Sequence, residues 1–140
     1  MSKCLWQPSE ERIKSTNIYR FMTRVNERYS TEFTQYPDLW EWSVNNLEDF
    51  WTITWKFIDI KASQTFDKAI DDPAKMPGAK FFVNSKLNFA ENLLRFRNDR
   101  VAIIFKGEDS VRRTLTYNQL YDEVAKTAAS LKKMGIQKGD

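Results

Sequence analysis

Apolar positions recur at helical intervals through the first half of the chain and change period beyond its middle. In TNIYRFMTRVNERY, Ile18, Phe21, Met22, Val25 and Tyr29 fall on one stripe, which predicts an amphipathic helix with Thr16 as its N-cap. In the following YPDLWEWSVNNLEDFWTITWKFIDI, Asp38 stands after a proline and is expected to cap a short helix. Asn46 is expected to cap a second, on which Leu47, Phe50, Trp51, Thr54, Trp55 and Ile58 keep helical spacing. The next stretch, IDDPAKMPGAKFFVNSKLNFAENLLRF, reads as a connector: two prolines and a glycine interrupt the helical pattern, and Lys80 to Val83 suits a short extended piece. Asn88 and Glu91 have capping-box spacing for a short helix through Phe89, Leu93 and Phe96. Arg95, Arg97 and Arg100 cluster at its end, where the helix dipole favours cations.

The last section is different in texture. VAIIF, residues 101–105, is a short run rich in β-branched residues, the pattern of a strand covered on both faces. Gly107 and Asp109 make a turn into RRTLTY, a second strand, antiparallel because the connection is too short for a crossover. Thr116 and Gln119 then form a capping box for a final helix, with Leu120, Val124, Ala128 and Leu131 as its buried stripe. Lys132, Lys133, Gly135 and Ile136 suit its end. A hairpin, a helix and then Lys138-Gly139-Asp140 make most of a β-α-β unit without a closing strand. VAIIF and the helix stripe are therefore expected to lie under-covered, and the polypeptide is expected to continue into a further strand.

Composition narrows the chemistry. The 140 residues are 41% apolar, enough for one ordinary domain with a core. No apolar run approaches the ~20 residues of a membrane span, and MSKCLWQPSEER has no signal-peptide pattern. A cytosolic, membrane-free protein is the expectation. The single cysteine, Cys4, has no internal partner for a disulfide. The net charge of +3 sits in the second half: residues 1–70 carry nine Lys/Arg against ten Asp/Glu, residues 71–140 thirteen against nine. With no sustained basic run, that excess reads as solvated surface. All five tryptophans, Trp6, Trp40, Trp42, Trp51 and Trp55, lie in the first section. They read as packing residues rather than a nucleic-acid platform, because Glu41, Glu48, Asp49 and Asp59 among them would repel phosphates.

The absence of histidine removes histidine bases, Ser/His and Cys/His nucleophiles and His-containing metal sites from this sequence. Only Gly78, Gly107, Gly135 and Gly139 are available, and neither the Rossmann nor the phosphate-loop spacing can be assembled from them.

Longer motifs carry a resemblance. LTYNQL resembles the early LTYxEL motif of the adenylate-forming superfamily of acyl-CoA synthetases, luciferases and peptide-synthetase adenylation domains, with glutamine in place of the usual glutamate. VAIIFKGED before it and GIQKGD after it agree with the same family. WSVNNLEDFWTITWKF followed by FFVNSKLNFAENLLRF is similar to the N-terminal region of acetyl-CoA synthetase-like enzymes, nearest to the branch that activates acetoacetate. The similarity runs from about Pro37 to Asp140.

The resemblance implies an α/β fold, α+β in this part: a helical N-terminal region over residues 1–98, then, over 99–140, the first hairpin and helix of an AMP-binding large domain. It implies a parent ligase that joins acetoacetate to coenzyme A using ATP and Mg²⁺. That chemistry needs a phosphate-binding loop, an acidic residue for the ribose and a charge-stabilising lysine, all of which the family places later in the chain. No catalytic, cofactor-binding or metal residue is therefore assigned here. Lys86, Arg95 and Arg97 read as surface charges that in the intact enzyme have the alternative of facing the coenzyme's phosphates. The expected role is a scaffold packed on the remainder of the large domain and inactive by itself; the alternative is a short module that docks on a full-length ligase.

Overall fold

The structure, a computed structural model, describes residues 5–137. It is mixed α+β and forms two compact units that divide between Leu87 and Asn88. The first contains α1 (Glu10–Lys14), α2 (Asn17–Tyr29), α3 (Tyr36–Asn45), α4 (Leu47–Phe57), β1 (Lys68–Ile70) and β2 (Phe81–Val83). The second contains α5 (Phe89–Leu93), β3 (Val101–Lys106), β4 (Arg112–Thr116) and α6 (Tyr117–Lys133). Cys4 and Lys138-Gly139-Asp140 lie outside the described residues.

The first unit has a true core. Thr16 caps α2 as its position predicts, its hydroxyl accepting from the Tyr19 amide at 3.2 Å. Phe21, Met22 and Val25 from α2, Leu39 from α3 and Ile53 from α4 are buried together, Val25 completely. Phe21 meets the ring of Phe57 at 5.1 Å while Tyr29 meets Asp49, so α2 and α4 run in opposite directions. The turn after α2 is held by Asn26: its carbonyl oxygen accepts from the Phe33 amide at 3.0 Å and from the Thr31 hydroxyl at 2.8 Å. Its amide group donates to the Phe33 carbonyl at 2.9 Å, placing that ring against the core.

Several sequence expectations change here. Ile18, on the predicted stripe, is exposed. Asp38 is not a cap: α3 starts earlier, at Tyr36 with Gln35 in the cap position, and Pro37 sits in its first turn, where a missing N–H costs nothing. Asn46 does occupy the α4 cap position but makes no capping bond; its side-chain amide donates back to the Trp42 carbonyl at 3.0 Å, tying α3 to α4. Ile53 lies off the predicted α4 stripe, yet it is that helix's buried residue. Helix α4 is apolar on two sides, so one stripe does not describe it: Phe50, Ile53 and Phe57 face the helical core, while Trp51 and Trp55 face the strands.

Strand β1 was not legible as a strand, being three residues among polar neighbours. It pairs antiparallel with β2, Lys68 opposite Val83 and Ile70 opposite Phe81. Its Ala69 and Ile70 are buried. Trp51, Trp55, Phe66, Phe81 and Phe82 interlock, with Trp55 and Phe82 centroids 4.7 Å apart and Trp55 and Phe66 at 5.2 Å. This cluster holds Phe82 at φ 49°, a left-handed conformation that a side chain normally avoids. Asp71 closes the hairpin's other end: its carboxylate accepts from the Lys80 amide at 2.8 Å and the Asp72 amide at 2.7 Å. The Lys80 amide is the main cause that holds this carboxyl below the usual carboxylate range.

In the second unit local structure follows the sequence closely. Asn88 caps α5 by accepting from the Glu91 amide at 3.2 Å. That helix ends at Leu93, so Phe96 lies beyond it rather than on its stripe. β3 and β4 are antiparallel, as predicted. Thr116 and Gln119 make the full reciprocal capping box on α6, at 3.2 and 2.9 Å. At its far end the Gly135 amide bonds the Lys132 carbonyl and the Ile136 amide the Leu131 carbonyl, both at 3.1 Å, with Gly135 at φ 91°. This is the Schellman closure that the Lys-Lys-Met-Gly-Ile sequence favours.

Candidate interaction surface

What the second unit lacks is an interior. Every buried residue of the core belongs to the first unit; none of the described residues from 88 onward is buried. The predicted α6 stripe forms and, as the missing covering layer foretells, stays open: Val124 and Leu131 remain exposed and Leu120 half-buried. A helix and a two-stranded sheet in contact supply only two thin layers, too little to enclose either apolar face.

The hairpin carries part of the uncovered apolar surface, with Val101, Ile103, Ile104, Phe105 and Val111 all exposed. Its register places Ile103 opposite Leu115 and Phe105 opposite Arg113, so these four side chains share one face. With Val111 they line a concavity of about 350 Å³. Phe105, one of its lining residues, is 54% exposed. The opposite face carries Ile104, opposite Thr114 and 64% exposed. Both faces thus carry exposed apolar side chains of the VAIIF run, the second beside Lys106 and Arg112. Neither outer edge of the sheet is paired among the described residues.

The charged residues sort into engaged and unengaged groups. The Arg97 guanidinium stacks 3.6 Å from the Tyr121 ring centroid, and that of Arg95 lies 4.7 Å from Phe96. Both thus serve local packing. Lys86 belongs to the first unit, where its backbone bridges to Gln64 and Ser63. Arg113, by contrast, takes part in none of the ion pairs among the described residues, nor do Lys106 and Arg112 beside it. The sequence pattern marks these arginines as strand residues only; the Phe105–Arg113 pairing, visible once the turn length is known, is the signal that puts a cation on the apolar face.

Two other features bear on chemistry. Among the described residues no group of three or more His, Cys, Asp or Glu side chains is placed to hold a metal ion. A groove of about 340 Å³ between α2 and α4 is lined by Arg24, Glu27, Arg28, Asp49 and Lys56. Glu27 is paired with Arg24 at 3.3 Å, and Asp49 accepts from the Tyr29 hydroxyl at 3.3 Å. Burial, then the Asp49 charge, push the Tyr29 hydroxyl up from its ordinary value. Of the tryptophans, Trp42 packs on Tyr29 and Phe33, and Trp51 and Trp55 on the strand phenylalanines, whereas Trp40 stays exposed. No helix among the described residues is long and apolar enough to cross a membrane.

Comparison with known proteins gives these surfaces a context. Residues 36–93 match the family described as acetyl-coenzyme A synthetase N-terminus. The acetoacetyl-CoA synthetase of Macaca fascicularis is 38% identical over 142 residues, covering 97% of this chain and 20% of the relative. That of Rhizobium meliloti is 35% identical over 136 residues, covering 97% and 21%. The solved structure of acetoacetyl-CoA synthetase from Streptomyces lividans superimposes with a TM-score of 0.80 at 32% identity, over 99% of this chain and 22% of that one. The chain spans about a fifth of the length of the curated relatives it matches.

Proposed function

We infer that this chain, homologous along its length to the N-terminal region of acetoacetyl-CoA synthetases, is the corresponding part of an AMP-forming acetoacetate–CoA ligase. In that reaction a carboxylate oxygen of acetoacetate attacks the α-phosphorus of ATP and pyrophosphate leaves. The coenzyme A sulfur then attacks the acyl carbon, and AMP leaves with the carboxylate oxygen. ATP, Mg²⁺, coenzyme A and acetoacetate are bound by polypeptide outside this chain, and the enzyme works in the cytosol. The chain acts as scaffold: residues 1–98 as a helical N-terminal region, residues 99–140 as the opening elements of the adenylation domain.

The observation that carries this reading is the extent of the similarity. It covers both units together, 97–99% of the chain, in relatives as distant as a primate and a bacterium. A hairpin and helix without an interior fit the same assignment. Residues 1–140 alone are expected to show no acetoacetate-dependent exchange of pyrophosphate into ATP; clear exchange by the purified chain overturns the scaffold role. A second reading, a short module that docks on a ligase, is favoured by the open hairpin. Co-purification of the chain with such a ligase from cells making both supports that reading, and a cleanly monomeric chain counts against it.

A further inference from the structure

We propose that the groove between α2 and α4 is a binding site for a phosphate group, free or carried as a monoester on a small molecule, held by Arg28, Lys56 and the Thr52 hydroxyl. This goes beyond the ligase reading and does not rest on it, because every residue involved lies on two helices of the first unit.

Three observations converge. First, helical spacing gathers the donors. Arg24 and Arg28 are one turn apart on α2, Thr52 and Lys56 one turn apart on α4, and all four line the same cavity of about 340 Å³. That volume is at the small end of ligand pockets, which suits a phosphorylated molecule of a few carbons. Buried Ile53 and half-buried Tyr29 supply the apolar part of the lining. Second, the charges in the groove do not balance. Its carboxylates are both engaged by the chain: Glu27 pairs with Arg24 at 3.3 Å, and Asp49 accepts from the Tyr29 hydroxyl at 3.3 Å. Arg28 and Lys56 take part in none of the ion pairs among the described residues. The surplus is cationic, and an anion neutralises it. Third, the donors are of the kind that phosphate needs. The Arg28 guanidinium lies 5.7 Å from the Tyr29 ring centroid, a contact that restrains it and leaves its N–H edge for an acceptor. Lys56 supplies a second charge. The Thr52 hydroxyl adds a neutral donor, whereas that of nearby Thr54 is spent on the Phe50 carbonyl at 2.7 Å. A phosphate's several acceptor oxygens and nearly two negative charges match this set better than a carboxylate does.

The test is titration of the 140-residue chain with glycerol 3-phosphate, followed by NMR of backbone amides and arginine Nε–H groups, with inorganic phosphate and glycerol as comparison ligands. Saturable shifts at Arg28 and Thr52 are expected, with a Kd of ~1 mM or tighter, and no shifts with glycerol. Arg28→Gln and Lys56→Gln, both at exposed side chains, are each expected to weaken binding about tenfold. Lys14→Gln, on α1, is expected to leave it unchanged. Glu27→Gln is expected to tighten it about threefold, by freeing Arg24 and removing a negative charge. Equal binding of inorganic phosphate and the ester supports the site and assigns all recognition to the phosphate group; a tighter ester supports it and adds the apolar lining. Shifts that do not saturate, equal shifts with glycerol, or binding indifferent to Arg28→Gln and Lys56→Gln in variants with unchanged circular dichroism overturn the proposal.

Discussion

Phe21 and Phe105 are the same side chain in two energetic situations. Phe21 is buried among Phe50, Phe57 and the aliphatic core, edge-on to both rings. Truncation there removes the transfer free energy and leaves a cavity, so Phe21→Ala is expected to cost about 3–5 kcal/mol in urea unfolding of the full chain. Phe105→Ala is expected to cost under about 1 kcal/mol, because its ring is half in water. Equal losses at the two positions would contradict the burial described here. Tyr29 gives a pH signature. Its hydroxyl is held protonated by burial and by the Asp49 carboxylate, so its folded pKa exceeds the unfolded value near 10. The folded state therefore keeps a proton that the unfolded chain has released. This share of stability is complete below about pH 10 and is lost as pH rises through the folded pKa. Urea midpoints followed from about pH 9 to about 12 are expected to fall for this reason, and the fall is expected to be shallower in Tyr29→Phe.

At the scale of elements, caps matter most where burial is least. Helix α2 is anchored by three buried side chains, whereas α6 has none among its described residues. An isolated helix of α6's length is marginal in water, so its own end contacts weigh heavily in its order. Thr116→Ala is expected to remove about 1 kcal/mol and visibly reduce helical circular dichroism. The matching loss at α2, Thr16→Ala, is expected to lower the unfolding midpoint without changing helix content under native conditions. An unchanged spectrum for Thr116→Ala would show that α6 draws its stability from elsewhere. Elements also differ in how far they could be read in advance. Caps and turns on α2, β3, β4 and α6 were legible because each depends on residues three to five apart. Strand β1 was not, because KAI acquires its role only from β2 and from the α4 tryptophans across the unit.

For the whole molecule the two units predict unequal stability. The first encloses Phe21, Met22, Val25, Leu39 and Ile53, while the second encloses nothing. Native-state hydrogen exchange is expected to show α2 and α4 amides opening only with global unfolding of their unit. Amides of β3, β4 and α6 are expected to exchange at least ~10-fold faster through local opening. Equal protection would mean that the second unit is stabilised by something other than the contacts it makes here. The candidate surface was half legible: VAIIF announces a strand covered on both faces, and the missing cover follows from counting layers. Arg113's place on the apolar face did not follow, since it depends on which β4 residue falls opposite Phe105.

The α2 and α6 stripes, the caps at Thr16, Asn88 and Thr116, the hairpin's direction and the family likeness were determined by the sequence, because each is written in residues close together along the chain or in motifs whose spacing is fixed. How far each face is covered was decided by tertiary structure. The α2 stripe ends in a core, while the α6 stripe ends as the open surface that the missing layer foretells. Hydrophobic free energy depends on the area another element covers, and periodicity specifies which face is to be covered without supplying the element that covers it.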